Sequence, residues 1–338
     1  MREDNMTGFT SIIGQDQATA MLQHSLDSGI ISHAYLYMGP PGVGKQKTAR
    51  TFINLLLEQE DKEADVYLRE GIHPDLMEIS VPENRTRISK EQISKEMIPW
   101  LAMKPYRAKH RIVLIHDSHL LTMEAANALL KTLEEPPEHA LLILLNDSTE
   151  MLETIVSRCQ LLRFYPLGTQ QIEAILIGQG IDPEQACRAA RMSQGSLGDA
   201  LLFSQEDNWA ERWEETFALL EGLSSGEPIK VLEAAARVEK ELELNVRLVE
   251  TILRDRMILQ YSDQEELLLF PENQDLYRQI PPLDPEKVRK GWERINQIKD
   301  YSRFHVNRSL IAVNIAYEWL HLLRPITLRA QGARTQRR

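Results

Sequence analysis

The stretch GPPGVGKQKTA, Gly39 to Ala49, has the spacing of a phosphate-binding loop at every position but one. Gly39, Gly42, Gly44 and Lys45 fit G-x-x-x-x-G-K, in which backbone N–H groups and the lysine surround a nucleotide's phosphates. Gln46 stands next, where a Ser or Thr hydroxyl normally ligates magnesium. Its longer amide reaches a metal only by displacing the phosphate geometry. Thr48 has a hydroxyl but lies two positions on, facing elsewhere on the helix.

A second chemical position ends the run RIVLIHDSHLL, where phosphate-loop hydrolases place Asp to hold magnesium and Glu to orient the attacking water. His116 and Asp117 stand there instead. Imidazole is a poor ligand for that hard ion. Moving the register by one makes Asp117 the metal partner and Ser118 the base, which is no better, and a plain buried strand followed by a polar turn fits equally well. A third position is SRC, Ser157 to Cys159. Arg158 falls among apolar neighbours at a strand edge, where a guanidinium is costly unless it is paired or delivered to an anion across an interface. By residue type alone it reads as a surface arginine or as an arginine finger.

These positions need a scaffold, and five short apolar runs supply it: Ala34 to Met38, Leu76 to Ile79, Arg111 to Ile115, Leu141 to Leu145 and Leu161 to Phe164. Such runs, interleaved with helical patterns, predict a doubly wound parallel sheet. The run AYLYM ahead of the loop, and a helix through Thr51 and Leu57 behind it, give the strand–loop–helix context that phosphate binding uses. Between strands, Thr122 caps a helix carrying Ala126, Leu129, Leu130 and Leu133 on one face, and Pro136 and Pro137 stop it. After Pro166 the strand signals cease. Three short helices follow, punctuated by Gly and Pro, and from about Asp207 the pattern is helical throughout, broken by a Pro-rich loop between Phe270 and Pro285. The last helix, Asn307 to Arg324, is expected to bury Leu310, Val313, Tyr317 and Leu320.

Composition narrows the class. A chain of 338 residues, 43% hydrophobic and 26% charged, is long enough for two or three domains. Its net charge of -11 is not that of a protein gripping nucleic acid unaided. The longest apolar run, Ala140 to Leu145, is too short for a membrane span, and a cytoplasmic location is expected. Two cysteines, Cys159 and Cys187, make neither a disulfide framework nor a thiolate zinc site. The basic end, Arg329 to Arg338, reads as a solubilising extension or as an arm near DNA phosphate.

Taken together, GPPGVGK, NALLKTLEEPP (Asn127 to Pro137), SRC and GSLGDAL (Gly195 to Leu201) resemble the clamp-loader branch of the AAA+ family. FTSIIGQDQA, SHAYLYMGP and HPDL (His73 to Leu76) are similar to the same branch, so the likeness runs from about Phe9 to Phe203. It implies an α/β AAA+ module, a doubly wound parallel sheet with a small helical lid, followed by an all-α collar domain. The expected bounds are 1–166 for the RecA-like domain, 167–206 for the lid and 207–338 for the collar with its basic tail.

ATPase members of that branch carry a Ser or Thr after the loop lysine, an Asp-Glu pair at the strand end and an Arg in the lid. Gln46, His116-Asp117 and Gly198 stand at the matching positions. These losses resemble the delta-prime group of the bacterial DNA polymerase III clamp loader, whose own site is degenerate while the SRC arginine remains. The resemblance implies that Arg158 acts in trans as an arginine finger at ATP on a neighbouring tau/gamma subunit, and that Gly39, Gly42, Gly44 and Lys45 form a vestigial loop. It implies no intrinsic ATPase, no required cofactor, and ATP binding that is weak or absent. The implied partners are tau/gamma and delta subunits in a hetero-pentameric ring, with the sliding clamp and primed DNA reached through the complex and no membrane contact. Family members commonly hold zinc between the loop helix and HPD, but residues 58–72 contain no cysteine, so no zinc is expected. An ATPase with an unusual magnesium site built on Lys45 and Asp117 stays open as the alternative, as does nucleotide binding without hydrolysis.

Overall fold

The computed structural model describes residues 8–82, 85–148, 151–206, 208–224, 227–301 and 306–324. The basic end of the chain lies outside the described residues. Two compact units divide at Gln205 and Glu206.

In the first unit, β1 (Ala34–Met38), β2 (Leu76–Ile79), β3 (Arg111–Ile115), β4 (Ala140–Asn146) and β5 (Gln160–Arg163) form one sheet in the order β2-β3-β4-β1-β5. Every pairing is parallel. Helices α1 (Asp16–Ser28), α2 (Lys45–Glu60), α3 (Ala64–Glu70), α4 (Ile98–Ala102), α5 (Met123–Glu134) and α6 (Glu153–Val156) fill the connections, with a π turn at Gln92–Met97 leading into α4. All residues of β1, β3 and β4 are buried, as helices on both faces require. The period of two in β4 then divides the core. Leu141, Ile143 and Leu145 join Leu22, Phe52, Ile53 and Leu57 on one face, while Leu142 and Leu144 join Leu101, Leu129, Leu133 and Ile155 on the other.

Two helices explain the geometry at the strand ends. Along α2, Ala49, Phe52, Ile53, Leu56 and Leu57 make one apolar stripe, so packing that stripe on the sheet aims the helix N-terminus at the end of β1. Thr122 accepts the N–H of Ala125 at 3.2 Å and caps α5; of the expected face, Ala126, Leu129 and Leu133 are buried and Leu130 is half-buried. Three further helices, α7 (Thr169–Gly178), α8 (Pro183–Met192) and α9 (Leu197–Phe203), follow within the same unit.

The second unit is helical among its described residues: α10 (Trp209–Ser224), α11 (Pro228–Lys240), α12 (Leu242–Tyr261), α13 (Gln274–Gln279), α14 (Pro285–Asp300) and α15 (Arg308–Leu323). Two expectations are corrected here. The stretch read as a loop between Phe270 and Pro285 contains α13, and it is anchored by the buried Asp255 carboxylate, which accepts the N–H groups of Leu269 and Phe270 at 2.9 and 3.1 Å. In α15 the buried residues are Ile311, Ala312, Ile315, Ala316, Trp319, Leu320, Leu322 and Leu323, so of the four expected Leu320 is buried and Val313 half-buried, while Leu310 and Tyr317 are 56% and 49% exposed. That helix is apolar nearly all round, so its spacing fits more than one face and cannot choose between them.

Candidate functional site

The loop after β1 has the backbone of a phosphate cradle. Gly42 and Gly44 take φ of 75° and 98°, conformations that L side chains rarely adopt, and this lets the chain turn sharply into α2. Gln15 fixes the loop from below. Its buried amide donates to Val43 O at 3.3 Å and Tyr165 O at 2.8 Å and accepts the Tyr165 N–H at 3.2 Å.

The lysine at the centre of the cradle is engaged by its own chain. Lys45 is 5% exposed, and its ammonium meets Gly39 O at 2.6 Å, Pro40 O at 2.5 Å and Asp147 Oδ1 at 2.8 Å. An ammonium has three N–H donors, so these partners use all of them. Asp147 follows β4, and its N–H donates to His119 Nδ1 at 3.4 Å, which joins the ends of β3 and β4 to the loop. Helix α9 covers the other side: Gly198 N–H donates to Gly42 O at 3.3 Å, and a Cβ on Gly42 would lie 2.0 Å from Ser196 Oγ. A phosphate entering here must break the Lys45–Asp147 pair.

The metal-ligand positions are equally changed. Gln46 is exposed, and Thr48 is buried with its hydroxyl donating back to Gly44 O at 2.9 Å. His116 Nε2 lies 2.8 Å from Glu78 Oε2, which also takes Arg50 at 2.8 Å, so imidazole, carboxylate and guanidinium form a chain across β2, β3 and α2. Asp117 is left-handed at φ 48°, one of two such non-glycine residues among those described, and Ser118 is buried.

Arg158 is found in another setting from the one its sequence neighbours suggest. It follows the short α6, 34% exposed, with Nη1 donating to Thr154 O at 3.0 Å and Ser157 Oγ at 3.1 Å, and with Nη2 2.8 Å from Glu134 Oε1. A guanidinium at the surface keeps its solvation, and one carboxylate plus the helix end directs it. Glu134 belongs to the KTLEEPP run at the end of α5, so two motifs far apart in sequence meet as one ion pair. Gly39, Gly42, Gly44 and Lys45 come together; the Arg158 guanidinium meets Thr154, Ser157 and Glu134, none of them in the cradle.

Residues 58–72, which contain no cysteine, are tied down by charged contacts. Arg107 forks onto Asp61 at 2.7 and 3.1 Å, reaches Glu63 at 2.5 Å and lies over the Tyr67 ring at 4.8 Å. The buried Asp75 carboxylate accepts the N–H groups of Tyr106, Arg107 and Ala108 at 2.6, 2.7 and 3.0 Å. The Arg107 guanidinium holds the Asp61 carboxyl down to about 2. Cys159 and Cys187 are free thiols, half-buried, and burial pushes Cys159 up to about 12.

Sequence reasoning missed Asp147, Glu134, Glu78, Ser196 and the packing role of Gln15. Asp147 had a signal: in LLILLND, polar residues abruptly follow a central strand beside the loop strand, the place where ligands meet open α/β sheets.

A parallel sheet in this order, a glycine loop after β1 and three short helices against that loop define a AAA+ module whose loop lysine is engaged by its own chain. A family model described as "DNA polymerase III, delta subunit" matches residues 14–168. The delta' subunit of Bacillus subtilis (strain 168) DNA polymerase III is 28% identical over 79% of this chain and 83% of its own length. The tau subunit of Escherichia coli (strain K12) is 32% identical over 59% of this chain, and the gamma subunit of Buchnera aphidicola subsp. Acyrthosiphon pisum (strain APS) 30% identical over 57%. This chain spans only 32% and 56% of the length of those two relatives. A solved gamma-subunit-related protein of Thermotoga maritima aligns with 90% of this chain and 99% of its own at 21% identity and a TM-score of 0.46. The chain is thus similar to a DNA polymerase III delta' subunit over most of its length and to the delta-subunit family model over residues 14–168.

Proposed function

We propose that this chain is a non-catalytic, delta-prime-like subunit of a DNA polymerase III clamp loader that acts through Arg158 on ATP held by a neighbouring tau/gamma subunit. The observation that carries this reading is the contrast in the two cations' surroundings: all three donors of Lys45 are used internally, while Arg158 is surface-accessible and directed by Glu134. A guanidinium so presented neutralises charge that develops on a transferred phosphoryl group. With Gln46 and His116 where metal chemistry needs a hydroxyl and a carboxylate, the chain's own loop serves as architecture and requires neither nucleotide nor zinc. Tau/gamma and delta subunits complete a hetero-pentameric ring in the cytoplasm, and the ring opens the sliding clamp and places it on primed DNA.

The test is ATP turnover by the reconstituted assembly. Arg158→Ala lowers it by roughly ten-fold or more, less than the ~10³–10⁵ of arginine fingers in related chemistry, where hydrolysis itself limits the rate. The variant's unfolding midpoint stays close to that of the parent, because an exposed ion pair contributes under about 1 kcal/mol. Unchanged turnover removes the finger role. Turnover by the isolated chain that disappears in Lys45→Ala overturns the non-catalytic reading and makes the protein an ATPase.

A further inference from the structure

Charge is distributed unevenly along this chain. Residues 285–338 contain twelve Lys and Arg against four Asp and Glu, a net of +8, in a protein whose total is -11. The remaining 284 residues therefore carry -19, and such asymmetry within one chain is a sign of a polyanion-binding segment. The described part of the basic segment, α14 and α15, forms a cleft of about 390 Å³. Gly291 and Leu322 both line it and approach closely: a Cβ on residue 291 would lie 2.5 Å from Leu322 Cδ2 and displace that side chain. Its rim carries Lys287, Lys290, Arg294 and Arg324.

Lys287, Lys290 and Arg294 recur at i, i+3 and i+7, one face of α14, and span about 10 Å at the helical rise. One strand of a duplex repeats its charge every ~3.4 Å along the axis, so a row of that length meets about three phosphates. Two of the nearby acids are shared with another cation. Arg289, on another face, forks onto Glu286 at 2.8 and 3.1 Å and also pairs with Glu293. What remains is loose: Lys290 to Glu286 at 3.3 Å, an exposed pair, and Arg294 to Glu318 at 3.5 Å, in which the arginine is exposed and the half-buried carboxylate lines the cleft; pairs this long give way to a phosphate at small cost. Beyond Arg324 the sequence adds Arg329, Arg334, Arg337 and Arg338 with no acidic residue. A spaced, all-cationic continuation suits a uniformly charged polymer rather than a defined acidic peptide.

We propose that the α14–α15 cleft is a sequence-independent binding site for the phosphate backbone of DNA, with Lys287, Lys290 and Arg294 as its phosphate contacts. The site lies in the second unit and is independent of the reading of Arg158.

Fluorescence anisotropy of a fluorescein-labelled 20-bp duplex, titrated with the full chain between 50 and 200 mM salt, tests it. Affinity should fall steeply with salt, and Lys287→Ala/Lys290→Ala/Arg294→Ala should flatten the log–log slope by roughly 2.7, three contacts at about 0.9 each. At 50 mM salt the same variant should bind many-fold more weakly, with an unchanged circular dichroism spectrum. Arg329→Ala/Arg334→Ala/Arg337→Ala/Arg338→Ala separates the tail from the cleft. If that variant alone loses the duplex while the cleft variant binds like the parent, the cleft is not the site. Absence of duplex binding by the parent at 50 mM salt overturns the proposal, and so does poly-glutamate displacing the duplex at equal charge concentration, which would assign the cleft to an acidic protein partner.

Discussion

Lys45, at the head of α2, is 5% exposed and surrounded by two carbonyls and a carboxylate of its own chain, whereas Arg158, after α6, is 34% exposed and has one carboxylate partner at the surface. Both residues sit in motifs that the clamp-loader resemblance connects with ATP, and both keep the residue type the motif calls for. Their surroundings differ because a buried ammonium must be satisfied, and this chain does so with Asp147 and two carbonyls. An exposed guanidinium needs only direction, which Glu134 provides. Retention of a motif residue therefore says little about its use until its donors are counted.

The widest separation between the two regions comes from Lys45→Ala. In a working phosphate loop that substitution removes activity; here it should cost stability, because Asp147 and two carbonyls lose their donor together. We expect a loss of about 2 kcal/mol in urea unfolding, between the cost of an unsatisfied polar group and that of a broken buried ion pair. Turnover by the reconstituted assembly should be unchanged once the variant is folded. Reduced turnover with parental stability would reverse the comparison and give Lys45 a ligand-binding role.

A smaller effect sharpens what a structural ion pair looks like in this protein. Asp61 is held by Arg107 at about 2, below the ordinary carboxyl value of 3.8. A depressed folded-state value means that its stabilisation is complete above about pH 4 and is lost as pH falls through about 2. The urea midpoint of the parent should therefore converge on that of Asp61→Asn between pH 5 and 2, and the gap between them should be constant above pH 5. A gap that persisted at pH 2 would show that Asp61 acts by packing rather than by charge.

Much of this was legible in the sequence, for identifiable reasons. The strands were plain because β1, β3 and β4 are buried on both faces and read as unbroken apolar runs. The cap at Thr122 and the stop at Pro136 bounded α5. The glycines and Lys45 announced a cradle, since few other structures need that spacing. What fills the cradle was not legible, because Lys45 and Asp147 are far apart in sequence and join only when β1 and β4 pair in register. The Arg158–Glu134 pair was hidden in the same way. In α15, apolar residues on every side gave no contrast for a period to reveal, and α13 is too short for a periodic signal among the prolines.

The smallest expected effect bears on the residue that breaks the loop pattern. If Gln46 were the sole obstacle to nucleotide, Gln46→Thr would restore a magnesium ligand and with it binding of a fluorescent ATP analogue. The surroundings argue otherwise. Gln46 is exposed, whereas Asp147 holds Lys45 and Gly198 closes on Gly42 through atoms that do not belong to residue 46. Binding by Gln46→Thr should therefore equal that of the parent, with magnesium or without it. Adding Asp147→Ala frees one of the three donors of Lys45, so any gain in affinity should appear only in the double variant. A gain in Gln46→Thr alone would mean that the Lys45–Asp147 pair yields readily to phosphate, that the cradle differs from a working one by a single side chain, and that the contrast with Arg158 is one of degree.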